Sequence, residues 1–321
     1  MNAAVVRTFD APPVYTTFED PTPQLGEKLV QVRAAGLHQI VRGIASGSHY
    51  SSTGKLPFIP GIDGAGVLED GTRVYFGGAR FPYGTMCEQT VIGSVMSMVI
   101  PLPAGIEDAF AAGIANPGMS SWVALDRGRF IAGESVLILG ATGTSGRLAV
   151  QIAKARGARR VVAAGRNPEA LAQLKALGAD AVISLTQEPD ALVAAFREQF
   201  ASNGVDVILD YLYGPPAEAV FSAIAQKGSI KSGTRVRYVQ IGSLAGPNIS
   251  LPASTLRSAN LEILGSGFGS ASMDDIRKGI AEFFTLCATK KIEFGYKTAP
   301  LSKVESLWNE KGDGERLVFV P

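Results

Sequence analysis

The stretch Val136-Leu137-Ile138-Leu139-Gly140-Ala141-Thr142-Gly143-Thr144-Ser145-Gly146 decides the fold. Residues 136–139 form a continuous apolar run, as expected of a strand buried on both faces. Past the turn, Leu148, Ile152 and Ala155 recur at helical spacing, and Gly157 supplies the stop. A strand, a glycine-rich turn and a helix in this order point to nucleotide binding. Alanine stands at 141, where the first glycine of the fingerprint is usual. The physical logic survives this change. Gly143 lets the backbone approach a pyrophosphate, Gly146 lets helix pack on strand, and the first amides of the helix point at the phosphates.

The next strand, 160–164, selects the nucleotide. An NAD site places Asp or Glu near its end, about 20 residues on, to bond the ribose 2′-hydroxyl. Here the strand runs into Gly165-Arg166-Asn167 with no acid. A carboxylate would repel a 2′-phosphate, whereas Arg166 can clamp one with two hydrogen bonds. The competing reading is a solvated loop arginine. NADPH is the expected cofactor. Asn167, Pro168 and Glu169 then read as N-cap, first helical proline and dipole-facing acid of a helix running to Gly178. Strand-like runs follow at 181–184, 205–210 and 236–242, with helical stretches between them. This alternation predicts an α/β domain with a doubly wound parallel sheet.

Outward in the other direction, residues 1–116 are β-rich. Short apolar runs at 29–32, 64–68, 73–76 and 87–92 are separated by Gly/Pro turns. The tail holds a helix around 274–286 and a strand at 316–320. A length of 321 residues suggests two domains, and 46% hydrophobic against 18% charged residues supplies ample core. Thirty basic and 29 acidic residues leave a net charge of +1, so no basic field is present for nucleic acid or an anionic membrane. Cys87 and Cys287 are the only cysteines, too few for a disulfide framework or a four-thiolate zinc lobe. Residues 1–10 lack a signal-peptide pattern, and the longest uncharged stretch, 238–256, carries two prolines. A cytoplasmic protein is expected, with no membrane partner.

Several motifs now fall into one pattern. Pro60-Gly61-Ile62-Asp63-Gly64-Ala65-Gly66-Val67, Gly133-Glu134-Ser135-Val136, the glycine loop and Ala149-Val150-Gln151-Ile152-Ala153-Lys154 resemble the medium-chain dehydrogenase/reductase family. The branch they resemble is the zinc-free quinone oxidoreductases, or zeta-crystallin-like proteins, and 111–125 and 256–265 fit it too. The resemblance implies a GroES-like, partly closed β-barrel domain from 1–116 and 263–321. It implies a Rossmann domain over 117–262, an active site in a cleft between them, and a homodimer formed through the edge strand at 261–264. Two departures stand out. The 67–74 segment is short, so a hairpin is trimmed, and Leu185 replaces a tyrosine common near the adenine ribose.

The candidate cofactor residues are Ser120, Gly140, Ala141, Thr142, Gly143, Thr144, Ser145, Gly146, Gly165, Arg166, Asn167, Tyr211, Ile241, Gly242 and Ser243. The family's zinc positions fall on His38, Ile62 and, less securely aligned, Asn116. Isoleucine binds no metal, so none is expected. Hydride transfer to a carbonyl or quinone builds negative charge on oxygen, which another donor must stabilise. Tyr50, in Gly47-Ser48-His49-Tyr50, stands where related reductases place a cleft tyrosine; its alternative is packing under the loop. His38 matches a position that faces the nicotinamide in relatives; its alternative is a satisfied structural histidine. His49 reads as a solvated loop residue, and the two cysteines as inert. Asn116, Tyr213 and Phe268 are the candidate substrate contacts; these, with Trp122 and Tyr211, could equally be core. The expected activity is NADPH-dependent reduction of quinones or α,β-unsaturated carbonyls. A zinc-free aldehyde or ketone reductase and a non-catalytic NADPH-binding protein remain open.

Overall fold

The computed structural model describes residues 1–93, 97–228, 230, 234–267, 269–310 and 314–321. The chain divides into two units, Met1–Asn116 with Arg277–Pro321, and Pro117–Ile276. In chain order the first stretch holds β1 (Asn2–Val5), β2 (Val14–Thr17), β3 (Lys28–Gly36), α1 (Gln39–Ala45), β4 (Asp63–Leu68), β5 (Arg73–Gly77), β6 (Gln89–Ile92) and β7 (Met98–Pro101). Helix α2 (Asp108–Arg127) carries the chain from one unit to the other. The second unit holds β8 (Ser135–Leu139), α3 (Thr144–Ala155), β9 (Arg160–Gly165), α4 (Pro168–Leu174), β10 (Ala181–Ser184), α5 (Pro189–Ser202), β11 (Val207–Asp210), α6 (Gly214–Ala225), β12 (Val236–Gln240), α7 (Ala253–Ser258) and β13 (Leu261–Gly265). The return runs through α8 (Met273–Thr289), β14 (Tyr296–Pro300), α9 (Val304–Leu307) and β15 (Arg316–Val320).

The first unit is built on a seven-stranded sheet in the order β14-β15-β3-β4-β5-β7, with β6 also on β3. Its pairs are antiparallel except β14 with β15. Along β3 the side chains alternate, with Val30 and Val32 buried and Gln31 and Arg33 exposed, as a half-buried strand requires. Val30 and Val32 join Phe76, Met86 and Phe319 in the core. The short 67–74 segment makes a tight hairpin: Leu68 N–H donates to Thr72 O (3.0 Å), and Gly71 takes φ +83°.

The second unit is a six-stranded sheet in the order β10-β9-β8-β11-β12-β13, parallel throughout. Central β8 is buried along its whole length, which accounts for its unbroken apolar run. The strand order reverses between β8 and β11, and ligands of such sheets bind at the carboxyl ends beside that reversal. Asn167 Oδ1 accepts from Ala170 N–H (3.0 Å), so the cap forms. The regular helix ends at Leu174, and turns carry the chain on to Gly178 at φ +110°. The expected domain boundary after 262 falls inside β13. That strand pairs with β12 over five residues, so the unit extends to Ile276. Among the described residues, no helix is long and apolar enough to cross a membrane.

Candidate cofactor and active site

The glycine loop hangs from the neighbouring strand. Gly140, at φ +86°, and Ala141 both donate their N–H to Ala164 O at 2.9 Å. Gly143 N–H donates to Gly140 O (3.2 Å) and closes the turn, and Arg147 N–H donates to Gly143 O (2.9 Å). Thr144, Ser145 and Gly146 thus occupy the first turn of a twelve-residue helix, where N–H groups have no intrahelical acceptor. The dipole adds positive character there, so anions are favoured.

The glycines of the loop serve different ends. A Cβ on Gly146 would lie 2.3 Å from Gly140 O and 2.5 Å from Ala141 Cα, so glycine is demanded by the packing of helix on loop. A Cβ on Gly143 would meet nothing closer than Gly140 O at 3.6 Å. The protein itself does not require glycine at 143; its absence of a side chain keeps open the space in front of the helix amides. Gly165 is pressed by Thr142, whose Cγ2 would be 2.5 Å from an added Cβ. Ala141 has no left-handed φ and a fully buried methyl, which explains why alanine is tolerated there.

Beside this loop, the end of β9 presents Arg166, exposed and engaged by none of the described hydrogen bonds or ion pairs. Gly165 O accepts from Leu185 N–H (2.9 Å), and Leu185 packs against the sheet core. Asn167 spends its carbonyl on the helix cap. No carboxylate occupies 165–167.

The ends of β11 and β12 are knitted to each other and to the loop. Ile241 and Gly242 both donate N–H to Asp210 O (2.7 and 3.1 Å). A Cβ on Gly242 would lie 2.8 Å from Tyr211 O, and one on Gly140 would lie 3.1 Å from the Leu212 side chain. Tyr211 is buried, and its hydroxyl is 3.3 Å from Ser120 Oγ. Ser120 Oγ donates to Pro117 O (2.7 Å), which leaves Tyr211 as donor to Ser120. Burial pushes the Tyr211 phenol up to about 12, so it stays protonated and holds position. Ser243 is exposed, and Tyr213 is half-buried. The carboxyl ends of β8, β9, β11 and β12 thereby gather the candidate cofactor residues of this unit.

The candidates of the first unit sit differently. His38 precedes α1 and is 2% exposed, with Nε2 3.2 Å from Asp63 Oδ1 but without hydrogen-bond alignment. The Tyr75 hydroxyl donates to Asp63 Oδ2 (2.5 Å), and burial beside that carboxylate drives the phenol well up. A Cβ on Gly36 would fall 2.6 Å from His38 Nε2, so the ring lies folded over its own strand. Tyr50, in contrast, is 79% exposed and stacks on His49 with ring centroids 4.2 Å apart. His49 is half-buried rather than fully solvated; desolvation lowers its pKa, and its Nδ1 lies 2.6 Å from Ser51 Oγ. Asn116 is half-buried. Trp122, in the second unit, is a core residue with the Arg156 guanidinium 4.7 Å over its ring. Burial pushes the Cys87 and Cys287 thiols up to about 12, so neither is a ready thiolate. Phe268 lies outside the described residues.

Comparison with known proteins now adds identity. Residues 146–285 match the zinc-binding dehydrogenase family model. The chain is 31% identical to a probable NADPH-dependent quinone reductase of Emericella nidulans over 100% of both chains. It belongs to the medium-chain dehydrogenase/reductase family, in its quinone oxidoreductase group. It is also 31% identical to the quinone oxidoreductase of Rattus norvegicus, over 66% of each chain. The solved quinone oxidoreductase of Thermus thermophilus, also known in complex with NADPH, aligns over 100% of both chains with TM-score 0.78 and 26% identity.

The seven-stranded unit of this medium-chain reductase is therefore its GroES-like domain, and the six-stranded unit its Rossmann domain. The zinc-binding dehydrogenase match starts at Gly146 and includes none of positions 38, 62 and 116. Two features escaped the sequence. Asp210 looked like the mere end of an apolar strand. The other is Tyr75: a His38/Asp63 pair is conceivable from the sequence, since Asp63 adjoins Ile62, but Tyr75 reaches the Asp63 carboxylate only through the pairing of β4 with β5.

Proposed function

We propose that this NADPH-dependent oxidoreductase reduces quinones or α,β-unsaturated carbonyls and does so without zinc. The observation that carries the reading is the Rossmann-domain loop with open space at Gly143, beside an unengaged Arg166 and no acid. The amides of Thr144, Ser145 and Gly146 would hold the pyrophosphate, and Arg166 the 2′-phosphate. Bound NADPH supplies a hydride from C4 of its nicotinamide. The protein's part is to position, to exclude water and to stabilise the oxygen on which charge develops. Tyr211, kept protonated by burial, fixes its ring through Ser120. Tyr50, with an exposed ring, is the proposed donor to the acceptor oxygen. His38, buried against Asp63, is the weaker candidate for that task. Asn116 and Tyr213 remain proposed acceptor contacts.

The residues present do not fit a catalytic zinc, which takes three protein ligands and one open position. Ile62 fills one family position, and both cysteines are protonated by burial. Among the described residues, no three His, Cys, Asp or Glu side chains are grouped to hold a metal. Purified protein should contain far less than one zinc per chain by elemental analysis, and stoichiometric zinc restoring chelator-lost activity would contradict this.

The acceptor class is tested by following NADPH oxidation against quinones, enones, enoyl thioesters and aldehydes. Turnover of quinones or enones is expected; activity on aldehydes alone would replace the reading. Tyr50→Phe should lower kcat by about tenfold while leaving NADPH affinity unchanged. Wild-type kcat on every acceptor would remove Tyr50 from the mechanism. We also propose a homodimer across β13, the end strand of its sheet, where Ile263 is 39% exposed. A monomeric mass by light scattering at micromolar concentration would rule it out.

A further inference from the structure

The turn that follows β11 holds a backbone that its own sequence does not favour. Tyr213 takes φ +57° and ψ −157°, a region that glycine occupies freely and a side chain does not. Gly214 follows at φ +57°, and a Cβ there would lie 2.8 Å from Ala245 O, so the turn is tightly packed on the loop after β12. Something must hold residue 213 in place. The adjacent group able to do so is the fully buried carboxylate of Asp210. Its Oδ1 accepts from Leu212 N–H (2.7 Å) and Tyr213 N–H (3.1 Å), and its Oδ2 from Tyr213 N–H (3.0 Å) and the Tyr238 hydroxyl.

We infer that Asp210 is a positioning residue for the cofactor: its carboxylate clamps the strained 211–214 turn, and the turn in turn fixes one wall of the glycine loop. This rests on the NADPH reading above. The chain of contact is short. Leu212 and Tyr211 lie against Gly140, where an added Cβ would be 3.1 and 3.3 Å from their side chains. Tyr211 O and Leu212 O accept from Leu244 N–H (3.4 Å) and Ala245 N–H (2.8 Å), so the β12 loop moves with the turn. Relaxing residue 213 to an ordinary φ would displace both loops from their present register.

A carboxylate suits this task where an amide does not. Both oxygens of Asp210 accept, and every group facing them is a donor. Asparagine with its NH₂ in place of Oδ2 could donate to the Tyr238 hydroxyl, which can accept, but it would set N–H against the Tyr213 N–H and lose that bond, with little change of size. Burial raises the pKa of Asp210, and the hydrogen bonds from Tyr238, Leu212 and Tyr213 oppose that rise.

The test uses glycine to remove the need for the clamp. NADPH affinity is measured by fluorescence titration of the unaltered chain, Asp210→Asn, Tyr213→Gly and the double variant, with thermal melting alongside. Asp210→Asn should raise the NADPH Kd about tenfold in the presence of Tyr213, and less than about twofold in the Tyr213→Gly background. KM for NADPH should rise in parallel, with kcat at saturating NADPH changed less than about threefold. If Asp210→Asn does not fold, Tyr238→Phe removes one bond to the same carboxylate. It should raise Kd about threefold beside Tyr213 and not in the glycine background. An equal fold-change in both backgrounds, or an unchanged Kd for Asp210→Asn, would overturn the inference while leaving NADPH binding intact. Failure of the unaltered chain to bind NADPH would overturn the cofactor reading itself, and the inference with it.

Discussion

At the amino ends of β8, β11 and β12 the charges of the Rossmann domain close on one another, whereas at the carboxyl ends they are left open. Arg237, 5% exposed, pairs with Glu134 (2.5 Å) and donates to Arg129 O and Asp206 O. Asp206 accepts from Ser135 N–H (2.8 Å), and Arg129 and Arg235 share the Glu262 carboxylate, which they hold below the usual range. A cavity of about 600 Å³ lies among these residues, but its walls are already paired. At the other end, Arg166 and the first amides of α3 have no partner among the described residues, and Gly143 leaves room in front of them. Matched charges are what a folded domain needs for itself. Groups left unmatched at a helix terminus are what a ligand needs. A hollow in the surface is therefore a poorer guide to function here than an unanswered donor.

If that contrast holds, substitutions at the two ends should separate stability from cofactor affinity. The largest effect is expected for Arg237→Ala, which strands Glu134 in a mostly buried site. Urea unfolding should show a loss of about 3 kcal/mol, while the folded protein keeps its NADPH Kd. A large loss of affinity at unchanged stability would blur the division between the ends. Gly146→Val drives a side chain into the loop backbone and should reduce both properties. A destabilisation of about 2 kcal/mol, with NADPH binding abolished, is expected. Normal binding by this variant would mean that the loop can shift without consequence. Gly143→Ala is the finest probe, since φ is −78° and the space is free. It should change stability by less than about 0.5 kcal/mol, because alanine restricts the unfolded chain but is a poorer residue than glycine at the N-cap of α3. It should also weaken NADPH by about tenfold, or about 1.4 kcal/mol. Unweakened binding by this variant would move the pyrophosphate away from Gly143.

The same contrast explains what the sequence revealed. The open end is made of backbone, and backbone conformation is written locally. The run into Gly140, the spacing to Gly146, the missing acid after β9 and the Asn167 cap are all readable within a few residues of each other. β10 and β15 fall at the bounds their apolar runs indicate, Ala181–Ser184 and Arg316–Val320. Paired groups are written at a distance. Tyr75 reaches Asp63 because Ala65 stands opposite Tyr75 in the β4–β5 register, and Glu134 meets Arg237 because β8 and β12 flank β11. Asp210 hides for a related reason: its partners are two amides of a turn whose strained φ no periodicity announces. The domain boundary after 262, implied by the family resemblance alone, cuts through β13, whose pairing with β12 is again written at a distance.

The assignment of the open end to NADPH is tested most directly by titrating the unaltered chain with NADPH and with NADH, and repeating both with Arg166→Asp. A charge-assisted contact to the 2′-phosphate contributes about 1.5–3 kcal/mol. The unaltered chain should therefore bind NADPH at least about tenfold more tightly than NADH, and Arg166→Asp should abolish or reverse that preference. Equal affinity of the unaltered chain for the two nucleotides would contradict the assignment.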